Sequence, residues 1–135
     1  MIYLVDANVL SEPTKRDANP KVVDWLSKNE ANLVVDPIIL GELRVGILAL
    51  PRGRKRDQLE KWFDVLIETI DCLDWDAAVS RRWAALVVEL KGKGVIVPLL
   101  DGMIAATALQ HDLTVATRNT RGFQKTGVKT VNPFA

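Results

Sequence analysis

Ile2-Tyr3-Leu4-Val5-Asp6 begins the chain with an apolar run that ends on a carboxylate. Four residues of that kind, too short and too β-branched for a helix, read as a buried strand. An acid at the carboxyl end of a buried strand sits where open α/β sheets keep their ligand crevice. The rest of the chain supports that architecture. Asn19-Pro20 and Asp36-Pro37 are each a capping residue followed by proline at the first helical position. They start helices running to about Ser27 and about Leu50, with a short strand, Leu33 to Val35, between them. Leu59, Trp62, Phe63, Leu66, Ile67 and Ile70 recur at offsets of three and four and predict an amphipathic helix. Asp74 reads as the cap of a helix ending near Gly92, and another helix is expected from about Leu99 to His111. Strands follow at Leu113 to Ala116 and Val128 to Val131. Strands alternating with helices predict an α/β fold, a central, mostly parallel sheet with helices on both faces.

Two more acids give Asp6 its meaning. Glu42 lies mid-helix, and its neighbours three and four positions away are Ile38, Ile39, Val45 and Gly46. On helix position alone it is either an acid turned toward the interior or a stripe-edge residue paired with Arg44. Asp101 lies in the first turn of a helix whose next seven residues, Gly102 to Ala108, are almost wholly apolar or small. The helix dipole favours an acid there in any case, but a helix buried nearly all round would aim that end into a crevice. Three carboxylates brought together repel, and a divalent cation is the usual resolution. An oxygen-only donor set suits Mg²⁺, with Mn²⁺ as substitute. Such a pocket in a small α/β chain points to phosphodiester chemistry.

Asn119, after the strand at Leu113 to Ala116, also stands at a strand's carboxyl end. It is a turn residue on this reading, or a group that ligates a metal or holds a ligating water. Asn8 reads as a local cap that aims Asp6. His111 near a helix C-terminus and the four tryptophans read as structural.

Composition narrows the classes. The chain has 135 residues, 48% of them hydrophobic, which is one domain's worth over residues 1–135 and ample for a core. A net charge of +1 gives no general attraction to nucleic acid or membrane. The densest basic run, Arg52, Arg54, Lys55 and Arg56, is either a solvated helix start or a local basic surface. Cys72 is the only cysteine, so neither a disulfide within the chain nor a cysteine-based metal site can form. No signal-peptide pattern and no membrane-length apolar run is visible, so the expected compartment is the cytoplasm.

Taken in order, Val5-Asp6-Ala7-Asn8-Val9-Leu10-Ser11-Glu12, Gly41-Glu42-Leu43-Arg44, Asp101 to Ala108, Thr117-Arg118-Asn119-Thr120 and Asn132-Pro133 resemble the PIN-domain family, most closely its VapC-type toxins. The resemblance covers essentially the whole chain and implies a PIN-like three-layer sandwich. It implies a Mg²⁺- or Mn²⁺-dependent endoribonuclease, the toxin of a toxin–antitoxin pair, with RNA as substrate, a VapB-type antitoxin as inhibitor and a homodimeric state. Asp6 and Asp101 correspond to the principal metal ligands, and Glu42 to a third acid acting directly or through water. Asn119 falls where many relatives carry a fourth acid, and Gly122 where many carry Asp before the Phe.

Two other classes compete with the toxin. A housekeeping RNA-processing PIN nuclease shares every motif. A receiver-like Mg²⁺-binding signalling domain wants a regular alternation of equal units, which the long helical stretch from Arg54 to Lys91 interrupts.

Overall fold

Short valine-rich strands set the architecture of the computed structural model, which describes residues 1–135. They are β1 Tyr3–Val5, β2 Leu33–Val35, β3 Asp71–Cys72, β4 Thr114–Ala116 and β5 Lys129–Val131. Val5, Val34, Val35 and Val115 are all buried, the pattern of strands covered on both faces. The order is β3-β2-β1-β4-β5, and every neighbouring pair runs parallel. The sheet is thus wholly parallel rather than mostly so. This order is not the 2-1-3-4-5 of receiver-type domains, which removes the signalling alternative on topology.

The helices are α1 Ala7–Leu10, α2 Pro20–Lys28, α3 Pro37–Leu48, α4 Arg54–Thr69, α5 Ala77–Gly92, α6 Leu99–His111 and α7 Thr120–Gln124. Right-handed crossovers put α1 to α4, which link β1 to β2 to β3, on one face of the sheet. The same rule puts α5 to α7 on the other. The packing agrees: α3 lies against α4 and α1, and α6 against α5 and α7. That is the three-layer sandwich. α6 reaches the centre because its buried residues are small: Gly102, Ala105, Ala106, Thr107 and Ala108. The core joins Leu4, Val9, Val22, Ile39, Leu86, Ile104 and Phe123 across the layers.

Three local expectations need correcting. The cap of α5 is Asp76, whose side chain accepts from Val79 N at 2.9 Å, not Asp74. β3 was not expected, since its exposed Asp71-Cys72 carries no apolar pattern; pairing with β2 alone makes it a strand. Ile67 is exposed, so the buried side of α4 is the narrower set Trp62, Phe63 and Leu66. The basic run is not simply solvated. It begins α4, with Lys55 Nζ donating to Thr14 O at 3.0 Å and Arg56 within 3.7 Å of Glu60. No helix is long and apolar enough to cross a membrane.

A wholly parallel sheet puts all strand carboxyl ends on one edge. The strand order reverses between β1 and β4, and the crevice at that point is where Asp6 stands.

Candidate active site

Asp6 follows β1 directly and is nearly fully buried, at 7% exposure. Its Oδ1 accepts from Ala7 N at 2.9 Å, making it the cap of α1. Its Oδ2 accepts from Thr117 Oγ1 at 2.7 Å and from Asn8 Nδ2 at 3.3 Å. Thr117, at the end of β4, is itself buried and accepts from Asn119 N at 3.0 Å. Asn8 is more than the local cap expected from sequence. Its Oδ1 accepts from Arg118 N at 3.2 Å, so it ties the end of β1 to the end of β4. Asp6 is therefore rigid, fixed by groups from both strands at the crossover point.

Glu42 and Asp101 approach from opposite layers. Glu42 lies in the middle of α3, and its Oε1 is buried with no hydrogen-bond partner. The pairing with Arg44 does not form: Arg44 lies 3.4 Å from Glu60 and stacks over Phe63. Asp101 occupies the first turn of α6, where Asn119 Nδ2 donates to its Oδ2 at 3.4 Å. Asn119 is the cap of α7, a helix absent from the sequence reading, and its Oδ1 accepts from Gly122 N at 3.2 Å. A Cβ at Gly122 would lie 2.5 Å from Asn119 Nδ2. A side chain at 122 and this Asn119 placement thus exclude each other, so the two departures from the family pattern are one coupled change.

A fourth acid was missed as a site residue. Asp36 was read as a cap, and it is one, accepting from Ile39 N at 2.9 Å. It is also fully buried at the carboxyl end of β2, in the same relation to its strand as Asp6. The argument used for Asp6 would have found it.

The four carboxyls are electrostatically coupled. Burial raises the Asp6 pKa against the lowering effect of its three hydrogen bonds. Burial and then the Asp6 charge raise those of Asp36 and Asp101. Glu42 is pushed up to about 7, by burial first and then by Asp6, Asp101 and Asp36. These are the signs of an acidic crevice without internal neutralisation. No group of three acid, cysteine or histidine side chains stands close enough to hold one ion by direct contact alone. Mg²⁺ commonly takes one or two carboxylates and keeps several waters. Asp6 and Asp101 as direct donors, with Glu42 Oε1 left to accept from a water, fit that requirement.

The sequence model of the PIN domain matches residues 3–129. Toxin FitB of Neisseria gonorrhoeae is 36% identical over 137 residues, covering 98% of this chain and 99% of the relative. VapC ribonuclease Y4jK of Sinorhizobium fredii is 33% identical, with 98% of each chain covered. A solved structure of FitAB bound to an IR36 DNA fragment superposes with a TM-score of 0.92 at 33% identity, over 99% of this chain and 96% of that one.

The coupling predicts how stability depends on pH. The Glu42 carboxyl titrates near 7 when folded and near its ordinary 4.5 when unfolded. Its contribution is therefore fully present below about 4.5 and lost as pH rises through about 7. In metal-free buffer the melting temperature should rise as pH is lowered from about 8 to about 6. Glu42→Gln should flatten that dependence and melt higher than wild type at the alkaline end. A wild-type melting temperature that is flat or falls across this range would remove the repulsion argument.

Proposed function

This chain belongs to the PIN-domain family, and on that premise we propose that it is an endoribonuclease, the toxin of a toxin–antitoxin pair. It hydrolyses RNA phosphodiester bonds with water as the nucleophile. The observation that carries this reading is the convergence of Asp6, Glu42 and Asp101 at the β1/β4 crossover, mutually coupled and with no cation among them. A relative named as a VapC ribonuclease and another named as a toxin support it.

Asp6 and Asp101 would hold a divalent cation, Mg²⁺ with Mn²⁺ as substitute, and Glu42 would reach it through water. When bound, the cation supplies Lewis acidity toward the scissile phosphate and lowers the pKa of water. The protein's own tasks are narrower. Thr117, Asn8 and the Ala7 amide keep Asp6 in one rotamer. Asn119 orients Asp101 through its amide. Glu42 Oε1, unpartnered and poised near neutrality, can take the proton of the attacking water. In-line attack on phosphorus needs no side-chain nucleophile. Asp6→Asn and Asp101→Asn should each lower RNA cleavage by about a hundredfold or more while leaving the fold intact. Near wild-type cleavage by either variant on a gel assay would refute the ligand assignment.

The antitoxin is expected to meet the same charge. An arginine placed among Asp6, Glu42 and Asp101 would form charge-assisted hydrogen bonds and displace the metal. Antitoxin affinity should then fall as Mg²⁺ is titrated at constant ionic strength. An affinity indifferent to Mg²⁺ would mean that the inhibitor blocks elsewhere.

The second copy in a homodimer has an apolar face to cover. Val45 and Leu100 line one hollow beside Glu42, and Ile96 and Leu99 line the adjoining one. Ile96 is 88% exposed in the isolated chain, which a soluble surface rarely leaves unpartnered in company with Val45, Leu99 and Leu100. Light scattering should report a dimer, and Ile96→Glu a dimer about tenfold or more weaker with unchanged melting. A wild-type monomer at micromolar concentration would refute this.

A further inference from the structure

We propose that Asp36 and Thr107 are a positioning pair, whose buried hydrogen bond sets α3 against α6 in the register that brings Glu42 opposite Asp101. The proposal rests on the nuclease reading above and adds to it two residues that touch neither substrate nor metal.

The geometry is specific. Asp36 immediately precedes α3 and is fully buried, and Thr107, also fully buried, lies mid-way along α6. Asp36 Oδ1 accepts from Ile39 N at 2.9 Å, and Oδ2 accepts from Thr107 Oγ1 at 2.7 Å. One carboxylate thus closes the first turn of α3 with one oxygen and grips the facing helix with the other. A cap needs only one acceptor, and Ser, Thr or Asn provides it without burying a charge. The second oxygen makes sense of the acid. Thr107 is informative from its own side. A threonine within a helix commonly bonds back to a carbonyl one turn earlier, whereas this hydroxyl goes to a residue 71 positions away.

Position along the helices gives the pair its consequence. Glu42 lies six residues beyond Asp36, and Asp101 six residues before Thr107. Six residues of helix span about 9 Å, so a tilt of about 6° at the pin moves an acid by about 1 Å. Displacements of that size at a catalytic constellation cost up to about a hundredfold in rate. The alternative, a role in stability alone, predicts loss of folded protein without a change in the site of the molecules that remain folded.

Two substitutions separate these roles. Thr107→Val removes the hydroxyl at nearly constant volume and leaves the cap. Asp36→Ser keeps a capping oxygen but has none to reach Thr107. For each folded variant, checked by circular dichroism and melting, Mn²⁺ binding is measured by calorimetry and RNA cleavage by steady-state kinetics. Both variants should bind Mn²⁺ about tenfold more weakly and lose about tenfold in kcat, with KM within about twofold. The double variant should be no worse than either single one, because all three remove one interaction. Thr107→Ser should restore both values. Wild-type Mn²⁺ affinity and kcat in either folded single variant would overturn the proposal, as would Thr107→Ser falling as far as Thr107→Val. If Thr107→Val does not fold, Asp36→Ser decides on the same readouts. If the wild-type protein cleaves no RNA, the ribonuclease reading fails, and the Mn²⁺ arm alone decides this one.

Discussion

Repulsion from one buried charge organises the functional edge of this molecule. Asp6 is the group whose charge raises the pKa of Asp36, Glu42 and Asp101 alike. At an effective dielectric near 20, two carboxylates about 6 Å apart repel by roughly 3 kcal/mol, comparable to a sizeable fraction of a domain's net stability. The surroundings offset this unevenly. Asp6 has three donors, Asp36 has two from side chain and backbone, and Asp101 has one long contact from Asn119. Glu42 Oε1 has none, so the excess is expressed there, as a carboxyl poised near neutrality.

Topology makes the crowding unavoidable. With every strand parallel, the residues after β1 and β2 leave the sheet on the same edge, and Asp6 and Asp36 are those residues. The helices that follow or precede these strands start or cross above that edge. α6 could approach only because its inner residues are glycine, alanine and threonine. A bulky residue at Ala105 or Ala106 would push Asp101 away from the crevice.

The main strands, the long helices and three of the acids were legible in the sequence because periodicity and position expose them. Val5-Asp6 announces itself by an apolar run with an abrupt end. Glu42 and Asp101 stand out by the wrong polarity among their helical neighbours. β3 and α7 escaped because neither carries a pattern: Asp71-Cys72 is exposed, and α7 is one short turn held by the Asn119 cap. Asp36 was visible but explained too early. Its capping role was correct and sufficient on local grounds, and only the contact with Thr107 shows that the side chain has a second task. Long-range hydrogen bonds of this kind leave no trace in local spacing. The same holds for Thr117 and for Asn8, whose importance lies in a residue more than a hundred positions away.

The choice of donors around the four acids carries the last step. They are hydroxyls, side-chain amides and backbone N–H groups, all neutral. The basic residues nearby in sequence are engaged elsewhere: Arg44 with Glu60, Lys15 with Glu12, and Arg118 over Phe134. Neutral donors fix orientation while leaving the negative field intact. A resident lysine or arginine would have stabilised the free protein more, and would have cancelled the field that concentrates a cation. The arrangement therefore trades stability of the isolated chain for a site whose charge is completed from outside. Whatever completes it, an ion or a partner's guanidinium, stabilises the folded state by binding only to it. Activity and inhibition then compete for the same unmet charge.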